Sequence, residues 1–159
     1  NAQRAHLSWA TQHGLTTESR TEFLGAGARV STTTAPDGSR NVSIHQEGRL
    51  RSVSRKDAQG ESLGGTTYEY DAHGRRSASI DARNGRTSYE YNSGDQTVRV
   101  TTPTPAEGQP AQVTETEYDA MGRVARVIYP DGASLTNEHY LTGALKAKYG
   151  ARTYPVGYT

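Results

Sequence analysis

Apolar and polar positions alternate singly along most of this chain. That period of two belongs to β-strands, and the 3.6-residue spacing of an amphipathic helix is largely missing. The clearest case is Thr66-Thr67-Tyr68-Glu69-Tyr70-Asp71-Ala72-His73-Gly74-Arg75-Arg76, where Tyr68 and Tyr70 alternate with Thr67, Glu69 and Asp71. Asp71 and Gly74 then stand at the first and fourth positions of a type I turn. Asp suits the first because its side chain bonds its own backbone, and Gly accepts the conformation beyond the turn. Arg75-Arg76 opens another strand, so the stretch predicts strand, tight turn, strand.

The unit recurs. Thr116-Glu117-Tyr118-Asp119-Ala120-Met121-Gly122-Arg123-Val124 repeats it 48 positions on. Tyr89-Glu90-Tyr91-Asn92 repeats the Tyr-x-Tyr strand 21 positions after Tyr68, with Asn92 in the Asp place and Gly94 following. Asp57-Ala58-Gln59-Gly60 is the same turn between weaker strands, and Tyr129-Pro130-Asp131-Gly132 echoes Pro36-Asp37-Gly38. A repeat of a little over twenty residues, with insertions, organises the chain.

Strands are predicted over 30–34, 40–45 and 49–55. Turn glycines from Gly48 to Gly143 follow at intervals of 9 to 14 residues, which marks an all-β chain of short strands. Residues 1–29 lack the repeat and read as degenerate leading strands, with Leu7, Trp9 and Thr11 alternating with polar neighbours. Glu18 and Glu22 would also suit the first turn of a short helix over 17–24. Residues 30–159 form the repeat sheet. Pro103, Pro105 and Pro110 cannot sit inside a paired strand, so 103–110 is a surface loop inserted between two repeats. The pattern stops at Gly157-Tyr158-Thr159, where another Tyr-Asp turn would be due, so a longer parent chain is expected. The fold class is therefore all-β: a repeat-built antiparallel sheet of short hairpins, with about a dozen strands.

Composition sharpens this picture. Only 21 of 159 residues are Val, Leu, Ile or Phe, too few for a thick aliphatic core. Disorder would also call for high net charge, and here it is +1. Ten tyrosines at regular strand positions favour a thin, ordered sheet, because a Tyr ring packs while its hydroxyl finds a polar partner. Interspersed charges, 18 basic and 17 acidic, argue against nucleic-acid or anionic-membrane binding through bulk charge. No apolar run approaches a membrane span and no signal peptide opens the sequence. With no cysteine there is neither a disulfide framework nor a thiolate metal site, although this fixes no compartment.

Candidate chemistry is sparse. Asp71 and Asp119 could be read as a catalytic pair, but two aspartates in the same place of two repeats fit duplicated turns better. His6, His13, His45, His73 and His139 lack zinc-site spacing, and Asp-x-x-Gly lacks the alternating acids of a calcium loop. No cofactor is expected. No Gly-x-Ser-x-Gly elbow surrounds any serine. Asn41-Val42-Ser43 matches the glycosylation sequon, a triplet common by chance. Tyr68, Tyr70, Tyr89, Tyr91 and Tyr118 would stack as a ladder if they share a sheet face. Such a stripe either packs the sheet or grips a sugar or passenger chain, and packing is favoured. The arginines of Gly74-Arg75, Gly85-Arg86 and Gly122-Arg123 favour cross-strand ion pairs over nucleic-acid contacts.

Tyr70-Asp71-Ala72-His73-Gly74-Arg75 and Tyr118-Asp119-Ala120-Met121-Gly122-Arg123 resemble the signature of the RHS or YD-repeat family. Gly48-Arg49-Leu50, the half-repeat from Gly85 to Tyr91, and Tyr129-Pro130-Asp131-Gly132 resemble its other marks, so the resemblance covers about residues 30–159. It implies a long sheet ribbon that winds as a spiral and closes into a hollow shell. Bacterial members enclose a toxic C-terminal domain, as in RHS toxins and the C component of Tc toxins; animal teneurins use a related shell in adhesion. Members that process their shell carry paired Asp-Pro-x-x-Gly motifs. No Asp-Pro dipeptide occurs here, so autocleavage is not assigned to these residues.

The expected function is a non-catalytic segment of a large secreted or surface-displayed protein, bacterial by preference, whose wall encloses or displays a toxin or effector domain. Its expected partners are flanking repeats or other copies through the sheet edges, and an enclosed passenger. The alternative is an adhesion module that binds carbohydrate or a cell surface through the tyrosine stripe or the 103–110 loop.

Overall fold

The computed structural model describes residues 4–158; residues 1–3 of the leading segment and Thr159 at the end of the repeat region lie outside them. The described residues contain strands and turns and no helix. The chain divides into two units, Asn1–Arg86 and Thr87–Thr159.

In the first unit β1 (Arg4–Gln12), β2 (Leu15–Leu24), β3 (Ala28–Thr34), β4 (Arg40–Gln46), β5 (Arg49–Lys56), β6 (Ser62–Tyr70) and β7 (Arg76–Asp81) follow in chain order, each antiparallel to the next. Residues 17–24 are strand and not helix: Glu18 and Glu22 stand opposite Thr34 and Val30 in the ladder. The second unit begins within β8 (Gly85–Tyr91), after which β9 (Thr97–Thr102), β10 (Gln112–Tyr118), β11 (Val124–Ile128), β12 (Ser134–His139), β13 (Leu145–Gly150) and β14 (Thr153–Gly157) pair in the same manner. The three prolines lie in the exposed connection between β9 and β10, where no ladder needs their missing N–H groups.

Two turn types return most of the strands. At His13-Gly14 and Glu47-Gly48 both residues have positive φ (52° and 77°; 52° and 76°), the two-residue turn whose twist matches the strands it joins. The other type has a three-residue loop. In it the first residue's N–H donates to the carbonyl four positions on, and the fourth residue's N–H donates back to the first carbonyl. Ala35, Asp57, Asp71, Asn92, Asp119, Tyr129 and Tyr140 all begin such loops. The fourth residue must adopt a left-handed φ, and glycine fills it at Gly74 (83°) and Gly122 (79°). In the loop begun by Asn92 that position falls on Asp95 (φ 61°) and not on Gly94, so Gly94 is not the counterpart of Gly74.

These sheets have no sealed interior. Among the described residues only Ala78 is fully buried; most other strand residues are half-buried. Stability therefore rests on ladders, cross-strand pairs and side-chain bonds to backbone.

Candidate functional site

The Tyr-Asp-x-x-Gly-Arg corner is built from the end of one strand, its turn and the start of the next. In the first unit Asp71 Oδ1 accepts the Arg75 backbone N–H at 2.9 Å, and Oδ2 accepts Arg75 Nε at 2.7 Å. One carboxylate thus closes the loop through backbone and guanidinium together. The corner in the second unit repeats this. Asp119 Oδ1 takes the N–H groups of Met121 and Arg123, each at 2.9 Å, and Oδ2 takes Arg123 Nε at 2.6 Å.

The tyrosine before each Asp performs a different task. The register of β5 with β6 runs no further toward this corner than Ser52 opposite Thr67. Beyond it, the Tyr70 hydroxyl donates to the Leu50 carbonyl at 2.8 Å. Likewise the β9–β10 register reaches Arg99 opposite Glu115, and the Tyr118 hydroxyl then donates to the Thr97 carbonyl at 2.9 Å. Each side chain continues a ladder that the backbones have left. A carbonyl lost to its strand neighbour is satisfied by protein.

Other groups brace the corners. Arg49 packs over Gly74, where an added Cβ would meet its guanidinium. Arg49 and Arg51 each place their guanidinium carbon 5.7 Å from the Tyr70 ring centre, and Arg76 sits 4.3 Å from that of Tyr68. In the second unit Asn92 and Gln96 make a neutral version of the Asp–Arg pair: Asn92 Oδ1 accepts the Gln96 N–H at 3.0 Å, and Asn92 Nδ2 donates to Gln96 Oε1 at 3.0 Å. Gln96 Nε2 then reaches the Gly122 carbonyl at 2.6 Å, and Arg123 NH1 reaches the Tyr140 carbonyl at 2.9 Å. Successive corners of this unit are linked side chain to backbone.

Two of the three Gly-Arg arginines depart from the cross-strand expectation. Arg75 and Arg123 pair within their own turns, because the Asp that caps the backbone lies four residues earlier and faces them. Arg86 pairs across strands, with its two terminal guanidinium nitrogens on Glu69 at 2.9 and 2.7 Å. In the loop at Tyr129-Pro130-Asp131-Gly132, Asp131 Oδ1 accepts the Ala133 N–H at 3.0 Å and Oδ2 pairs with Arg152. Here Asp occupies the third place of the loop, with Pro130 supplying the fixed φ of the second. Tyr89 and Tyr91 lie half-buried on β8, as do Tyr68, Tyr70 and Tyr118 on their strands.

The electrostatics follow. Desolvation raises the Asp71 carboxyl, but its hydrogen bonds with Arg75 and that cation's charge outweigh it, and the pKa lies below the ordinary 3.8. Asp119 is lowered chiefly by the Arg123 backbone N–H and then by its side chain. Asp131 is lowered by its bond with Arg152. These carboxylates stay ionised with their oxygens occupied. A general acid or base needs the opposite, a pKa moved toward neutrality and a lone pair facing a cleft. Among the described residues no three His, Asp or Glu side chains gather as a metal-ligand set.

Sequence reasoning did not single out Gln96, although it follows Asn92 at the spacing by which Arg75 follows Asp71. Arg49 entered only as part of Gly48-Arg49-Leu50, and its contact with Gly74 was not legible because it spans strands. The family model described as RHS Repeat matches residues 46–86, the stretch from the β4–β5 turn through the first Tyr-Asp corner to Arg86. No curated protein matches the chain.

Proposed function

The chain belongs to the RHS/YD-repeat family through its repeat at residues 46–86, and from that premise we propose that it is a non-catalytic wall segment of a larger secreted or surface-displayed protein. The wall encloses or displays another domain, a toxin or effector, that carries the activity. One observation carries the reading: the signature side chains bond their own sheet. Asp71 and Asp119 are held by their turns, and Tyr70 and Tyr118 by neighbouring carbonyls. Residues bound in this way set the shape of a surface and leave little to offer a substrate.

The mechanism is geometric. Each hairpin presents one strand edge to the next, the corner fixes where the strands part, and polar side chains keep both faces wetted. Flanking repeats of the same parent chain would extend the ribbon edge to edge.

The test uses Tyr68→Ala combined with Tyr89→Ala. A wall predicts a large loss of stability in urea denaturation, because the rings cover sheet. An adhesion module using the tyrosine stripe predicts a folded double variant that no longer retains glycan on an array. Half-burial of these rings supports the wall, since a stacking platform needs an open ring face.

A further inference from the structure

We infer that Asn84 is a site of spontaneous deamidation, at which the chain cyclises on itself and releases ammonia. The inference does not depend on the wall role. Asn84 stands in the exposed turn 82–84 between β7 and β8, directly before Gly85. Gly85 has a φ of 87°, in the left-handed region that favours glycine. Its missing Cβ leaves the backbone nitrogen open to the side-chain carbonyl carbon of Asn84. The reacting atoms belong to neighbouring residues, so the step is intramolecular and has no partner to capture. The turn is pinned through its backbone and through Arg83. Asp81 Oδ1 accepts the Arg83 and Asn84 N–H groups at 3.0 and 2.8 Å, and Arg83 NH2 donates to the Leu63 carbonyl at 2.8 Å. Among the described residues none holds the Asn84 side chain by a hydrogen bond, so its amide can rotate toward the Gly85 nitrogen.

The other described asparagines are held. Asn41 lies inside β4, opposite Thr33 on one side and Arg55 on the other, and the branched Val42 crowds the nitrogen that would attack. Asn92 Oδ1 accepts the Gly94 and Gln96 N–H groups, and its Nδ2 donates to Gln96 Oε1. Asn137 Nδ2 donates from β12 to the Val124 carbonyl at 3.3 Å. Two Asp-Gly pairs could close the same ring, but their glycine nitrogens are engaged. Gly38 N–H donates to the Ala35 carbonyl and Gly132 N–H to that of Tyr129, each at 2.9 Å. Hydrogen bonds with Ser39 and Arg152 also keep Asp37 and Asp131 below the usual carboxyl range, and an ionised carboxylate is a poor electrophile.

In the first step the Gly85 nitrogen loses its proton to water and bonds to Asn84 Cγ. The Cγ–Nδ2 bond breaks, and Nδ2 leaves with an added proton as ammonia. A five-membered succinimide ring remains, and water opens it in either of two ways. Rupture between the ring nitrogen and Cγ gives aspartate. Rupture between the ring nitrogen and the main-chain carbonyl carbon of residue 84 gives isoaspartate, whose backbone runs through Cγ. Either product places a new negative charge three residues from Asp81, and the formal net charge falls from +1 to 0. Isoaspartate also lengthens the turn by one backbone carbon.

The test incubates the whole 159-residue chain at physiological pH and temperature, beside a free peptide of residues 82–87 as the unconstrained reference. Digestion at glutamates releases peptide 70–90, whose single asparagine is Asn84, and mass spectrometry follows the change from amide to acid. Labelling by isoaspartyl methyltransferase measures the isoaspartate share. Asn84 should convert before any other described asparagine, with isoaspartate among the products. Asn84→Gln should abolish the reaction, because the ring would gain a sixth atom. Gly85→Ala should slow it about tenfold or more, a barrier rise of about 1.4 kcal/mol, with circular dichroism checking the fold of each variant. An Asn84 left intact in the chain after the free peptide has fully converted would overturn the proposal. So would earlier conversion at Asn41, Asn92 or Asn137, earlier isomerisation at Asp37 or Asp131, or an unchanged rate in Gly85→Ala. None of these results bears on the urea stability by which the wall role is judged.

Discussion

A tyrosine hydroxyl that bonds a carbonyl about twenty residues earlier does what a strand neighbour would otherwise do. Tyr118→Phe removes that donor from the Thr97 carbonyl and leaves the ring. We expect a loss of about 1 kcal/mol in urea unfolding, the usual net value of one hydrogen bond. Tyr118→Ala should cost more, since the ring is then lost as well. The aspartates give the second residue-scale expectation. Asp71, Asp119 and Asp131 all have folded pKa values below 3.8. A depressed carboxyl stabilises the fold above its unfolded pKa and loses that contribution as pH falls through the folded value. Thermal melting should therefore hold steady from neutrality to about pH 5 and decline below about pH 4. Asp119→Asn, which keeps an oxygen for the turn and loses the ion pair, should flatten part of that decline. A melting curve of this variant as acid-sensitive as the parent would contradict the assignment.

At the scale of elements, strand positions and turn glycines were legible because both are local. Alternation of Tyr with Thr and Glu fixes a strand whatever its neighbours do, and a left-handed φ after Asp71 selects Gly from four residues of context. The loop begun by Asn92 shows the limit. Its Gly94 suggested a match, yet hairpin closure assigns the left-handed place to Asp95 by counting from Asn92. Gly65 was also opaque in sequence. It lies inside β6, where glycine weakens a strand, and only the pairing explains it: an added Cβ would stand 2.6 Å from the Val53 carbonyl oxygen and 3.1 Å from Ser54 Cα. The obstacle is backbone, which cannot swing aside. Gly65→Ala should destabilise by about 1–3 kcal/mol, the common range for overpacking. Hydrogen exchange should locate the lost protection in β5 and β6.

For the whole molecule the decisive quantity is how little is buried. A chain whose described residues include one fully buried side chain resists unfolding through many small bonds, and it exposes apolar edges. On β1, whose pairing in the described structure is with β2, Leu7 and Trp9 are 40% and 63% exposed. A strand edge flanked by apolar side chains is a template for another chain. Sedimentation should show concentration-dependent association at neutral pH, and Trp9→Lys should reduce it by placing a charge beside that edge. Association undiminished by the substitution would direct attention away from β1. The proposed wall role uses the same property, because a surface assembled edge to edge requires strands that accept neighbours.

The sequence alone determined the all-β class, the hairpin rhythm and the Asp-capped turns at Asp71 and Asp119, because alternation, turn propensity and the Tyr-Asp-x-x-Gly-Arg spacing act over a few residues. Tertiary structure decided the rest. Tyr70 meets Leu50, Arg49 covers Gly74, and Arg83 reaches the Leu63 carbonyl only once strands are in register. Pairing joins residues far apart in the chain, and no local pattern encodes which distant backbone will lie beneath a given side chain.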